Sequence, residues 1–158
     1  RYQEVTGVQT CALPISFGMR GNKKVVLAAV QQDGSMLQWA SPILKSDREV
    51  VLAAVQQNGE AIAYASPALQ GDREVVLAAV RNYGMALEWA SPILQNDKTV
   101  VLIAVEQDGE ALRWAKGLRD VLTAVKRRGL ALVWASNELQ DNETVVLAAV
   151  QQNGMALS

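Results

Sequence analysis

Apolar runs of nearly identical spelling punctuate the chain: VVLAAVQQDG at 25–34, VVLAAVQQNG at 50–59, VVLAAVRNYG at 75–84, VVLIAVEQDG at 100–109, DVLTAVKRRG at 120–129 and VVLAAVQQNG at 145–154. Gly34, Gly59, Gly84 and Gly109 are 25 residues apart, Gly129 follows after 20, and Gly154 after another 25. The chain is therefore a tandem repeat of 25 residues with one five-residue deletion near residue 116. Each glycine opens a second recurring string, such as MALEWASPILQND at 85–97, whose aromatic member is Trp39, Tyr64, Trp89, Trp114 or Trp134. The same spacing places the next aromatic just past Ser158, so the array is expected to be cut in mid-unit.

One residue type precedes each apolar run by three positions: Asn22, Asp47, Asp72, Asp97 or Asn142. Such side chains accept from the free N–H groups of a helix start. Glu49, Glu74 and Glu143 add negative charge to the first turn, where the helix dipole favours it. The spacing predicts a helix from about Arg48 to Asn58, about 16 Å long, ended by the glycine in a left-handed conformation. Val-Val-Leu-Ala-Ala-Val also suits a buried strand. The cap, the Ala-Ala pair and the lack of turn residues before the run favour the helix.

A shorter second helix is expected after the glycine, with Ala86, Leu87 and Ala90 on one face. Ser41-Pro42, Ser66-Pro67 and Ser91-Pro92 read as a serine cap followed by proline at the first helical position. A short turn, Ile93-Leu94-Gln95, leads on to the next Asp. Each unit is thus two short helices and a turn. No such unit buries its apolar face alone, so neighbours must stack into an all-α, short-helix repeat solenoid.

The pattern Asp-x-Glu-Val-Val-Leu-Ala-Ala-Val-x-x-x-Gly-x-Ala-Leu-x-[Trp/Tyr]-Ala-Ser, as in 72–91, resembles the repeats of the family catalogued as domain of unknown function 4116. The resemblance spans residues 22–158. It implies architecture, namely helical repeats in large, often bacterial or protist proteins, sometimes beside other domains. It brings no activity and no catalytic residue to carry over. The stretch 115–124 departs from the pattern, since it lacks both Ser-Pro and the Asp cap.

Residues 1–16 share nothing with the repeat. Val5 to Ser16, VTGVQTCALPIS, resembles a sequencing-library adapter translated in frame, and the segment reads as non-native, with the repeat array occupying 17–158. Cys11 then carries no information on redox compartment or catalysis.

Composition sets outer limits. With 158 residues, 50% of them hydrophobic and a formal net charge of −1, the chain can bury a core and shows no global attraction to polyanions. No apolar run is long enough to span a bilayer, and compartment is not readable. The repeats contain no histidine or cysteine, no phosphate-cradling loop and no metal-ligand cluster, so neither cofactor nor metal is expected. Asp108 and Glu110 are a carboxylate pair, but of a spacing common on solvated turns. Asn142-Glu143-Thr144 matches a glycosylation acceptor, although Asn142 already serves as a helix cap.

Three features are candidates for recognition. The aromatic column Trp39, Tyr64, Trp89, Trp114 and Trp134 fits packing between units, while exposed rings would stack bases, sugars or proline-rich peptides. The basic stretch 113–128, with Arg113, Lys116, Arg119, Lys126, Arg127 and Arg128, reads as a solvated face or as a site for nucleic acid, an acidic partner or anionic lipid. Finally, residues beside the aromatic (Gln38, Ala63, Glu88, Arg113, Val133) differ in every unit, as do triplets such as Gln31-Gln32-Asp33, Arg81-Asn82-Tyr83 and Lys126-Arg127-Arg128. A constant framework with varying positions suits a reading surface, and neutral drift gives the same pattern. The expected function is a non-enzymatic scaffold for an unidentified protein partner. The alternatives are a passive spacer in a larger effector-like enzyme, or binding of nucleic acid or an anionic surface through 113–128.

Overall fold

A computed structural model describes residues 15–116, 122, 125–126, 129–135 and 137–152. Five α-helices of ten residues recur in register: Lys23–Gln32, Arg48–Gln57, Arg73–Asn82, Lys98–Gln107 and Glu143–Gln152. Among the described residues, each repeat glycine begins a six-residue 3₁₀ helix, at Gly34–Trp39, Gly59–Tyr64, Gly84–Trp89, Gly109–Trp114 and Gly129–Trp134. A third short segment follows in four units, at Leu44–Ser46, Pro67–Gln70, Leu94–Asn96 and Asn137–Gln140. No strand occurs among the described residues. The chain is an all-α, short-helix repeat.

The α-helix starts are set by the expected caps. Asp72 Oδ1 accepts from the N–H groups of Glu74 (3.0 Å) and Val75 (3.1 Å), and Asp47, Asp97, Asn22 and Asn142 do the same in their units. The helix ends differ from expectation. Asn58, at φ −143°, turns extended after its N–H has bonded to the Ala54 carbonyl. Its side chain then accepts from Glu60 N–H at 3.0 Å, starting the next helix. The glycine that follows is not a left-handed cap: none of Gly34, Gly59 and Gly84 has a positive φ. Its role is close approach. A Cβ on Gly59 would overlap the Ala79 carbonyl oxygen of the next unit and lie 2.8 Å from Tyr83 Cβ.

The second helix is 3₁₀ rather than α, and the three-residue repeat decides which side chains enter the core. Gly59, Ile62 and Ala65 are buried at that spacing, as are Gly84, Leu87 and Ala90. Six residues is long for a 3₁₀ helix. Besides its own bonds, such as Ala61 N–H to Asn58 O at 3.0 Å, it packs against neighbours on both sides.

The α-helices pack side by side in one layer and the 3₁₀ helices in a second, each unit adding one of each. Val50, Val51, Ala54 and Val55, with their counterparts in the third and fourth units, meet Leu37, Ile62, Leu87 and Leu112 between the layers at essentially zero exposure. Burial of each of these four contributes about 1.5–3 kcal/mol. The third segment adds one buried leucine per unit, Leu44, Leu69 or Leu94.

The serines of Ser-Pro do not cap through their hydroxyls. Ser66 makes no side-chain cap bond, and the Ser41 and Ser66 hydroxyls are buried without a partner. What recurs is a backbone bond to the preceding unit: Ser41 N–H to Arg20 O, Ser66 N–H to Lys45 O and Ser91 N–H to Gln70 O, all at 2.9 Å.

Of the segment read as non-native, only Ile15 and Ser16 are described. Ile15 is buried and its carbonyl accepts from Arg20 Nε at 3.3 Å.

Candidate functional site

Two bonded columns separate framework from free surface. In the first, the residue after the cap reaches the cap of the following unit: Lys23 Nζ to Asp47 at 2.8 Å, Arg48 Nε to Asp72 at 3.0 Å and Arg73 Nε to Asp97 at 3.2 Å. Lys23 also pairs with Glu49, and Arg48 with Glu74. The Lys23 ammonium holds the Asp47 carboxyl below the usual aspartate range, and Arg48 does so for Asp72. Burial pushes Asp97 upward, but the Val100 N–H and Arg73 outweigh it and leave it lowered.

The second column runs along the α-helix C-termini. Gln57 donates to Gln32 O, Asn82 to Gln56 O and Gln107 to Asn82 O. The side-chain oxygens of the same amides, Asn82 Oδ1 and Gln107 Oε1, in turn accept from Gly59 N–H (3.3 Å) and Gly84 N–H (2.7 Å). The variable triplets therefore divide. Their second residue ties units together, their third caps the 3₁₀ helix in Asp33, Asn58 and Asp108, and the side chains of the first are exposed at Gln31, Gln56 and Arg81.

What remains free of the framework is one side of the 3₁₀ layer. Three-residue spacing puts Ser35 with Gln38, Glu60 with Ala63, Met85 with Glu88 and Glu110 with Arg113 on the same side of successive helices, and none of these residues is buried. Glu110 and Arg113 demonstrate the pairing directly, with a 2.8 Å ion pair. Ser35, Glu60 and Met85 were not singled out by sequence, and Glu110 was noted only as half of a carboxylate pair. The buried residues three apart, such as Gly59, Ile62 and Ala65, were the available signal.

Around Tyr83 this side is acidic. Burial of the phenol, with Glu60, Asp108, Glu88 and Glu110 nearby, pushes its pKa above the usual tyrosine value. Tyr83 stands where four other units carry Asp or Asn, at Asp33, Asn58, Asp108 and Asn153, and it makes no cap bond.

The remaining candidates are placed as follows. Trp39, Trp89 and Trp114 are half-buried against the core, whereas Tyr64 and Trp134 are 37% and 42% exposed. The column thus edges the core; the leucine or isoleucine two residues earlier fills it. Arg20 lies over the Trp39 ring at 5.3 Å and Arg113 over that of Trp114 at 6.0 Å.

In the basic stretch, Arg113, Lys116 and Lys126 are exposed, while Arg119, Arg127 and Arg128 lie outside the described residues. Arg113 is matched by Glu110, and Lys126 is in register with Gln31, Gln56 and Arg81 of the α layer, not with Arg113. Asp108 and Glu110 are engaged in a cap and an ion pair. No group of residues suited to a metal occurs among the described residues, and none of their helices is long and apolar enough to cross a membrane.

The profile of the family described as Domain of unknown function (DUF4116) matches residues 22–70, 72–117 and 120–158. No curated protein and no solved structure matches.

Proposed function

The chain belongs to the Domain of unknown function (DUF4116) family, and from that premise we propose that it is a non-enzymatic scaffold that binds protein partners through the outward side of its 3₁₀ layer. One observation carries this reading. The bonds between units reuse the same positions, whereas the side made by Ser35/Gln38, Glu60/Ala63, Met85/Glu88 and Glu110/Arg113 changes chemistry at every step. A stack of this kind presents about one pair of side chains per 8–10 Å of helix spacing. That suits an elongated contact with another protein more than a single concave pocket.

The test is capture by the intact array, at low and high salt, from a protein pool, from RNA and on anionic vesicles. The reading expects discrete proteins held at both salt concentrations. Binding only to RNA or vesicles, lost at high salt, would assign function to Arg113, Lys116 and Lys126 instead. No binding in any arm would leave a spacer.

A further inference from the structure

We infer that the joint following the fourth unit, Lys98–Lys116, is weaker than the three joints before it, and that the stack opens there before it opens at any of those three. The three joints before it share a set of bonds. Each has a cation on the next unit's aspartate, and each has a glycine seated against the next unit's backbone. An amide from the next unit reaches back across all three, at Gln57, Asn82 and Gln107.

At the fourth joint the sequence keeps the glycine, as Gly109, but withdraws the carboxylate cap and the amide. With the five-residue deletion after Lys116, Gly117 falls at the cap position, Leu118 at that of Arg73, and Arg119 at that of Glu49 and Glu74. In the register of the sequence, the position of the carboxylates that pair with Lys23 and Arg48 is Arg119 for Lys98, and Lys98 has no ion pair among the described residues. Arg127 takes the amide position, where it can donate but offers no acceptor to Gly109 N–H. The deleted residues correspond to Pro92–Asn96, which supply the buried Leu94 and the Gln95 amide bonded to Leu87 O and Glu88 O.

The described residues carry the trace of this loss. Gly34, Gly59 and Gly84 are buried, but Gly109 is only half-buried. Lys116, which borders the deletion, also holds the third unit less closely: its N–H lies 3.4 Å from Gln95 O, against 2.9 Å for the serines at the two joints before and at Ser41. Stability in a repeat stack is a sum of unit and joint contributions, so a joint short of its bonds opens before those that keep them.

Native-state hydrogen exchange on the full chain tests this. Ala111 and Ala115 donate to Asp108 O and Leu112 O at 3.1 Å, matching Ala61 and Ala65 at 3.0 and 3.1 Å, so local bonding is equal. Ala111 and Ala115 are expected to exchange at least about tenfold faster than Ala61 and Ala65. Inserting Pro-Ile-Leu-Gln-Asn after Lys116 together with Gly117→Asp restores the period and is expected to remove most of the difference. Should that variant not fold, Arg119→Glu, which gives Lys98 a carboxylate, is expected to slow Ala111 and Ala115 about twofold or more. Equal exchange in the natural chain, or no slowing in a folded repair variant, would overturn the inference.

Discussion

Arg48 donates from Nε to Asp72 Oδ2 at 3.0 Å, and the other oxygen of that carboxylate accepts from Glu74 and Val75 N–H. One side chain therefore starts its own helix and fastens it to the unit before. Asp72→Ala removes both, with an expected cost of about 1–2 kcal/mol from the cap and an exposed ion pair. Asp72→Asn keeps an acceptor for the cap and is expected to cost less than half as much. Urea denaturation of the two variants checks the order.

Acid weakens the array through the same column. Asp47, Asp72 and Asp97 are lowered in the folded state, so their stabilisation is complete above the unfolded aspartate pKa of about 4. It is lost as pH falls through the folded values below that. Lys23 is raised by its bonds to Asp47 and Glu49, so its contribution is present below the usual lysine value and lost as pH rises through the folded one. Urea midpoints are expected to be flat from about pH 5 to 9 and to fall toward pH 3. Replacing Lys23, Arg48 and Arg73 by Gln should flatten the acid limb.

Gly59→Ala and Gly71→Ala distinguish two kinds of glycine. At Gly59 the new methyl meets backbone of the next unit, which cannot swing aside, and a loss of about 1–3 kcal/mol or more is expected. At Gly71 the nearest atom is Ala68 O at 3.4 Å, and the change is expected within about 0.5 kcal/mol. Equal losses in thermal unfolding would remove the close-approach explanation.

Ile62 is fully buried and Tyr64 is 37% exposed. Ile62→Ala is expected to cost about 2–5 kcal/mol, and Tyr64→Ala clearly less despite its larger side chain. The reverse order would restore the aromatic column to the centre of the core.

The period, the caps and the α-helix limits were legible because each rests on local chemistry: the cap oxygen of Asp47 and its equivalents bonds the N–H groups two and three residues on. The 3₁₀ helices were not. Met85-Ala86-Leu87-Glu88-Trp89 has no propensity that separates 3₁₀ from α, and the choice follows from seating Gly84 against Ala104 and Asp108 of the next unit. Ser66 was misread for a related reason, since its N–H bond to Lys45 O lies between units. The recognition side was half legible. Gln38, Glu88 and Arg113 showed their variation, but their partners Ser35, Met85 and Glu110 become visible only once the three-residue spacing is known.

The decisive measurement is the affinity of the array for a captured protein after changing each layer separately. Glu60→Lys with Glu88→Lys alters the 3₁₀ side, and Gln56→Lys with Arg81→Glu alters the α layer, all at exposed positions. The scaffold reading predicts at least about a tenfold rise in Kd for the first pair and less than about twofold for the second, with both variants folded. An unchanged Kd for the first pair, or equal losses from both, would contradict it.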